Sequence, residues 1–116
     1  MSKLLILLFS SPMQFQNTST AFNFAETAAS LGHEVAVFCD TDGIYNLLAG
    51  ELLDEEKSAA RVARLVEKGV QILACMESVR RRGINMQNLV RGVRKSSLAQ
   101  LVELMEISDR IVAFKS

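Results

Sequence analysis

Five short segments of strand character alternate with segments of helical spacing along the whole chain, and this alternation restricts the fold more than any other feature. Leu4 to Phe9 is an unbroken apolar run, as expected for a parallel strand covered on both faces. Thr18 to Leu31 then shows helical spacing, with Ala21, Phe22, Ala25, Ala28 and Ala29 on one side, and Gly32 closes it. Glu34 to Cys39 reads as the second strand, Val70 to Ala74 as the third, Val93 to Lys95 as a short fourth and Arg110 to Phe114 as the last. Between them lie helices predicted over Leu52–Lys68, Met76–Arg82 and the segment after Ser97, with a shorter one opened by Asn85 and running to Arg91. Asp54 is placed as an N-cap and Gly69 as the stop of the second helix. Asp42 is placed to cap a short piece, Ile44–Ala49. Ser97 with Gln100 three residues later is a capping-box signature, and Leu98, Leu101, Val102 and Met105 are expected to face inward from that helix. Regular strand–helix alternation implies an α/β class with right-handed crossovers. The expected architecture is a three-layer, doubly wound, mostly parallel five-stranded sheet in the flavodoxin-like order 2-1-3-4-5.

Length and charge narrow the function classes. At 116 residues the chain is expected to form one domain, 1–116, large enough for a core without staples. Net charge is zero, so no general attraction to nucleic acid or membrane is implied. The charge is uneven, however: Ser78 to Val102 holds six basic residues and no acidic one, while Glu51, Asp54, Glu55 and Glu56 form an acidic counterpart. Solvated helix faces account for such segments, and docking of a charged partner is the other reading. The apolar start is too short for a membrane span and reads as a core strand. Two cysteines without CxxC spacing are neither a disulfide framework nor a zinc site, and reduced thiols fit a cytoplasmic location.

The stretch from Val70 to Gly83 carries the chemistry. Its strand ends at Cys75, and Met76 to Arg82 begin a helix that Gly83 stops. A thiol at such a corner meets the positive end of a helix dipole, which favours thiolate, and Arg80, Arg81 and Arg82 add charge. The opposing reading is an inert buried cysteine, the commonest state of a free thiol. In the expected strand order, strands one and three are neighbours and ligands bind outside their carboxyl ends. That places Cys75 in a crevice beside Ser10 and Ser11. Cys39 also ends a strand, but lacks a helix start directly after it and reads as a core residue.

Other α/β chemistries lack their residues. Ser10 to Thr20 contains no glycine, so a phosphate-cradling loop is missing and no nucleotide or flavin cofactor is expected. His33 is the single histidine and begins strand two, at the end of the sheet away from Cys75, so a Cys–His hydrolase is not indicated. No cluster has metal-ligand spacing. A lone thiol without a general base suits chemistry in which sulfur itself is the cargo, since thiolate attack on a persulfide needs access and ionisation more than a base.

At this level the chain resembles the DsrE/TusD group of small sulfur-relay proteins over almost its whole length. The matching residues are Thr20-Ala21-Phe22-Asn23-Phe24-Ala25, Gly32-His33-Glu34-Val35 with Val37-Phe38, and Asp42-Gly43-Ile44-Tyr45-Asn46. Leu73-Ala74-Cys75 running into Arg81-Arg82-Gly83-Ile84 is the most specific piece. Later matches are Gly92-Val93, Ser96, Leu98, Gln100-Leu101 and Asp109-Arg110-Ile111-Val112 with Phe114. The resemblance implies a cytoplasmic sulfurtransferase subunit in which Cys75 carries a persulfide. It also implies a small sulfur-donor protein and a sulfur-acceptor protein as partners. The destination is tRNA thiolation in one branch and sulfur oxidation in another. The implied assembly is a homotrimer, a homohexamer, or a heterohexamer with related subunits. Met13, Phe15 and Tyr45 are candidate interface residues. The alternative is a non-catalytic assembly or binding subunit of the same fold. A third reading, direct RNA binding through Arg80 to Lys95, lacks interleaved aromatics for base stacking. Glu77, in the first turn after Cys75, would oppose thiolate formation if it faced the sulfur.

Overall fold

In the computed structural model the described residues are 2–10, 15–49 and 55–114, with 15–17 and 55–58 described as backbone only. The elements run β1 (Lys3–Leu8), α1 (Phe15–Ser30), β2 (Glu34–Cys39), a 3-10 helix (Thr41–Leu47), α2 (Glu55–Glu67), β3 (Gln71–Cys75), α3 (Met76–Arg81), a 3-10 turn (Met86–Asn88), β4 (Arg94–Ser96), α4 (Leu98–Ile107) and β5 (Arg110–Phe114). The class and the layers match the expectation. Every strand pair is parallel, and helices cover both faces.

The strand order is β4-β3-β2-β1-β5, where 2-1-3-4-5 was expected. The expected order would put β2 at an edge. Instead β2 is central, and Val35 to Cys39 are buried without interruption, which requires cover on both faces. The chain steps in one direction from β1 to β4. Right-handed crossovers then put α1, α2 and α3 on one face. The last connection returns across the sheet to β5 beside β1, which puts α4 on the other face.

Strand periodicity distributes the core between these faces. Ile6, Leu8, Val37, Cys39, Ile72 and Ala74 point to the first face, where Phe22, Leu65, Val79 and others complete a cluster of nineteen buried residues among those described. Leu5, Ala36, Phe38, Leu73 and Cys75 point to the second, covered in part by Leu101 and Leu104 of α4.

Three helices end in the same way. Gly32, Gly69 and Gly83 take positive φ, and the residue after each returns its N–H to the helix: His33 to the Ala28 carbonyl, Val70 to Leu65 and Ile84 to Val79. This is the paired bonding that a left-handed terminator permits, and glycine adopts that conformation at no steric cost. The Ser97–Gln100 capping box is present, with Gln100 N–H donating to Ser97 Oγ at 3.2 Å and Ser97 N–H to Gln100 Oε1 at 2.9 Å.

Other boundaries move. Helix α1 begins at Phe15 rather than Thr18, and the turn capped by Asn85 stops at Asn88. Asp40, not Asp42, caps the helix after β2, accepting the Thr41 N–H at 2.7 Å. Asp54 and the residues at 11–14, including Met13, lie outside the described residues, as do Glu51 and the side chains of Phe15, Glu55 and Glu56. The inward face of α4 also differs. Leu101 and Leu104 meet the sheet, while Leu98, Val102 and Met105 stand 63%, 53% and 40% exposed. Apolar residues encircle much of this helix, so its pattern alone does not single out the buried side.

Candidate functional site

Cys75 closes β3 and is the N-cap residue of α3, so the expected strand-to-helix corner is present. It does not adjoin Ser10. Strand β2 stands between β1 and β3, and Ser10 is buried with its carbonyl accepting Asn46 Nδ2 at 2.7 Å. Ser11 lies outside the described residues. The reversal in the sheet lies elsewhere. The connection leaving β3 passes to the first face, and the one leaving β4 passes to the second. The carboxyl ends of β3 and β4 therefore flank the topological switch point, the usual place for a ligand in an open α/β sheet. The residues in register there are Cys75 and Ser96.

The thiol faces the α4 side, packed in the cluster with Leu5, Ala36, Phe38 and Leu73, and is 4% exposed. A groove of about 500 Å³ runs beside it, lined by Leu73, Ser96, Arg94, Gln100, Glu103 and Leu104 among others. Leu73 precedes Cys75 by two residues on the same face, and Ser96 is its register partner, so the groove is walled by neighbours of Cys75 while the thiol itself stays buried behind them.

The three arginines expected to enrich the thiol's surroundings are held by other groups. Arg80 and Arg81 both bond Glu77, the latter from Nε at 3.0 Å. Glu77 is thereby turned to its own helix, and the hydrogen bond from Arg80, with Arg81 next, holds its carboxyl below the ordinary range. Arg82 donates to Asp42 Oδ1 at 3.0 Å and reaches the Ser78 carbonyl at 3.4 Å, where it meets the carbonyl end of α3.

Behind the corner a polar lock joins α3 to the end of β2. Ser78 Oγ donates to Asp40 Oδ1 at 2.7 Å, and the Thr41 N–H is shared between that oxygen and Ser78 Oγ at 3.0 Å. These bonds hold Thr41 at φ +47°, a conformation unusual for a non-glycine residue. Gly43 follows, and a Cβ there would overlap the Leu8 carbonyl oxygen, so β1 and the 3-10 helix approach more closely than a side chain allows.

The remaining candidates do not share the Cys75 side of this corner: Cys39 lies on the opposite face of the sheet and His33 at its opposite end. Cys39 is fully buried on the first face, and burial, with the Asp40 charge second, pushes its thiol up to about 12. That is the state expected of a core cysteine. His33 sits at the amino-terminal end of the sheet, where Nδ1 accepts the Ser2 N–H at 3.1 Å. Among the described residues no group of three or more His, Cys, Asp or Glu is placed to hold a metal ion, and no helix is long and apolar enough to cross a membrane. Sequence reasoning did not single out Ser96 as a neighbour of Cys75. The available signal was its position: it ends a strand directly before the helix cap Ser97, much as Cys75 ends a strand where a helix starts.

The DsrE/DsrF-like family model matches residues 2–114. A putative sulfurtransferase DsrE of Allochromatium vinosum is 32% identical over 118 aligned positions, covering 89% of this chain and 91% of that protein. Sulfurtransferase TusD of Photorhabdus laumondii is 30% identical, covering 85% and 87%. Among solved structures, the ychN protein of E. coli superposes with a TM-score of 0.82 at 20% identity, covering 98% of this chain and all of that one, which shows a shared fold. The match across nearly the whole chain, on a sheet with a cysteine at its reversal, establishes that this chain belongs to the DsrE/DsrF-like family.

Proposed function

We propose that the chain is a sulfur-relay protein that carries sulfane sulfur as a persulfide on Cys75 and passes it to a partner protein. The observation that carries this reading is the place of Cys75 at the carboxyl end of β3, at the sheet's reversal and in register with Ser96 of a groove wall. The relatives named as sulfurtransferases support the same class of chemistry. In the loading step the Cys75 thiolate attacks the outer sulfur of a donor persulfide. A new S–S bond forms, the donor's S–S bond breaks, and the donor leaves as a thiolate. In the unloading step an acceptor thiolate attacks the outer sulfur, and Cys75 leaves as thiolate. No external oxidant or reductant enters either step.

The partners are a small persulfide-bearing donor protein and an acceptor that serves tRNA thiolation or sulfur oxidation. The setting is cytoplasmic, where thiols stay reduced. The protein assembles as a homotrimer or homohexamer, or as a heterohexamer with related subunits. The apolar outer side of α4, with Ile107 and Ile111 also exposed, supports assembly, since monomers rarely leave such surface open. The test of the relay is intact mass after exposure to a persulfide donor. Wild type gains one sulfur atom and Cys75→Ser gains none; equal uptake by the two, or none by wild type, refutes the carrier.

The burial of Cys75 favours a second reading, a non-catalytic subunit that holds such a complex together. Site-resolved alkylation separates the two. A carrier requires Cys75 to react much faster than the buried Cys39, and equal slow reaction of both favours the assembly subunit.

A further inference from the structure

Two residues stand in register at the sheet's reversal, Cys75 and Ser96. Ser96 ends β4 in register with Cys75, and parallel neighbours project to the same face about 4.8 Å apart. Its place in the groove wall with Leu73 fixes that face as the one Cys75 occupies. Ser96 is 2% exposed, so its hydroxyl is nearly withdrawn from water. Its partner is the Ser97 carbonyl oxygen at 3.5 Å, far beyond the roughly 2.5–3.0 Å of an effective O–H···O bond. A buried hydroxyl without an effective acceptor is costly unless a further acceptor comes to it.

We infer that the Ser96 hydroxyl is the hydrogen-bond donor to Cys75 Sγ, and that it stabilises the negative charge this sulfur bears in sulfur transfer. In the structure Oγ is turned to the Ser97 carbonyl, and the proposed bond to sulfur requires rotation about the Ser96 Cα–Cβ bond toward the neighbouring strand. Charge sits on Cys75 Sγ twice: as attacking thiolate during loading and as leaving thiolate during unloading. One donor therefore assists both half-reactions, and its proton stays on oxygen throughout. This gives the relay a stabilised thiolate without a histidine and without the arginines of α3, which are bound to Glu77 and Asp42. The inference rests on Cys75 being the carrier.

The experiment compares wild type, Ser96→Ala and Ser96→Thr by site-resolved alkylation of Cys75 across pH, and by sulfur uptake from a small-molecule persulfide. The charged groups on the surrounding elements are common to all three proteins: Glu77 on α3, Arg94 and Lys95 on β4, Glu103 and Glu106 on α4, and Asp40 after β2. A difference between them thus reads out the hydroxyl. Ser96→Ala is expected to move the alkylation profile to higher pH and to slow reaction at pH 7 by about three- to ten-fold, with the high-pH plateau unchanged and Ser96→Thr close to wild type. If wild type takes up sulfur and Ser96→Ala has the same pH profile, the hydroxyl has no such part while the carrier stands. If wild-type Cys75 takes up no sulfur, the carrier fails and this inference fails with it.

Discussion

The two faces of the sheet are built to different standards. On the first, helices and a 3-10 segment pack with the sheet in a cluster of nineteen buried residues among those described, and polar bridges tie the layer together: Glu26 of α1 bonds Lys68 at 2.7 Å and Arg64 at 3.3 Å, and Arg61 of α2 bonds Ser19 and Asn23. On the second, one ten-residue helix covers five buried residues among those described and leaves an open groove. The first face supplies cohesion. The second is more thinly covered, and the candidate sulfur carrier lies buried at its edge. Division of this kind is expected where a rigid frame must hold a site that opens to partners.

Core substitutions give the strongest test of the contrast. Phe22→Ala, on the closed face, is expected to cost about 3–5 kcal/mol in denaturant unfolding, against about 1–2 kcal/mol for Leu104→Ala, which is only partly buried. Equal losses would mean that both faces hold the fold alike. A smaller effect on stability, with a clear effect on assembly, is expected for Val102→Asp on the outer side of α4. Light scattering should show the mass falling to that of a monomer, while stability of the released chain changes by no more than about 0.5 kcal/mol. An unchanged mass would show that this surface is not an interface.

The mildest effect concerns pH. The hydrogen bond from Lys68 holds the Glu26 carboxyl below its ordinary value of 4.5. A depressed folded value means that the contribution of Glu26 is complete above about pH 4.5 and is lost as pH falls through the folded value. Glu26→Gln should therefore flatten the acid limb of the stability curve slightly and leave neutral behaviour unchanged. A curve identical to wild type at every pH would show the bridge to be idle, as exposed ion pairs often are.

Local chemistry made much of this structure legible. The strands, the three glycine terminators and the Ser97 cap depend on neighbours a few residues apart, and each stands close to where its sequence places it. Strand order depends on pairing between distant residues, which periodicity does not encode. The clue was nonetheless present: Val35 to Cys39 has no polar residue to turn toward solvent, which marks an inner strand rather than an edge. Helix α4 misled for a related reason, because a helix apolar on two sides names two burial surfaces and intramolecular packing uses one. The strand-to-helix corner at Cys75 is legible in the chain, but the arginines after it, which sequence proximity assigns to the thiol, pair with Glu77 and Asp42 instead. Ser96 was invisible as its neighbour until β4 was known to pair with β3.

Cys39 and Cys75 end adjacent strands but project from opposite sides of the backbone layer. Side chains that diverge in this way cannot be joined by an S–S bond without rebuilding the strands. Oxidation therefore has no self-locking outcome within the folded chain. Any cross-link made at Cys75 has to be made to another molecule, so a trapped adduct would report whichever protein stood opposite it.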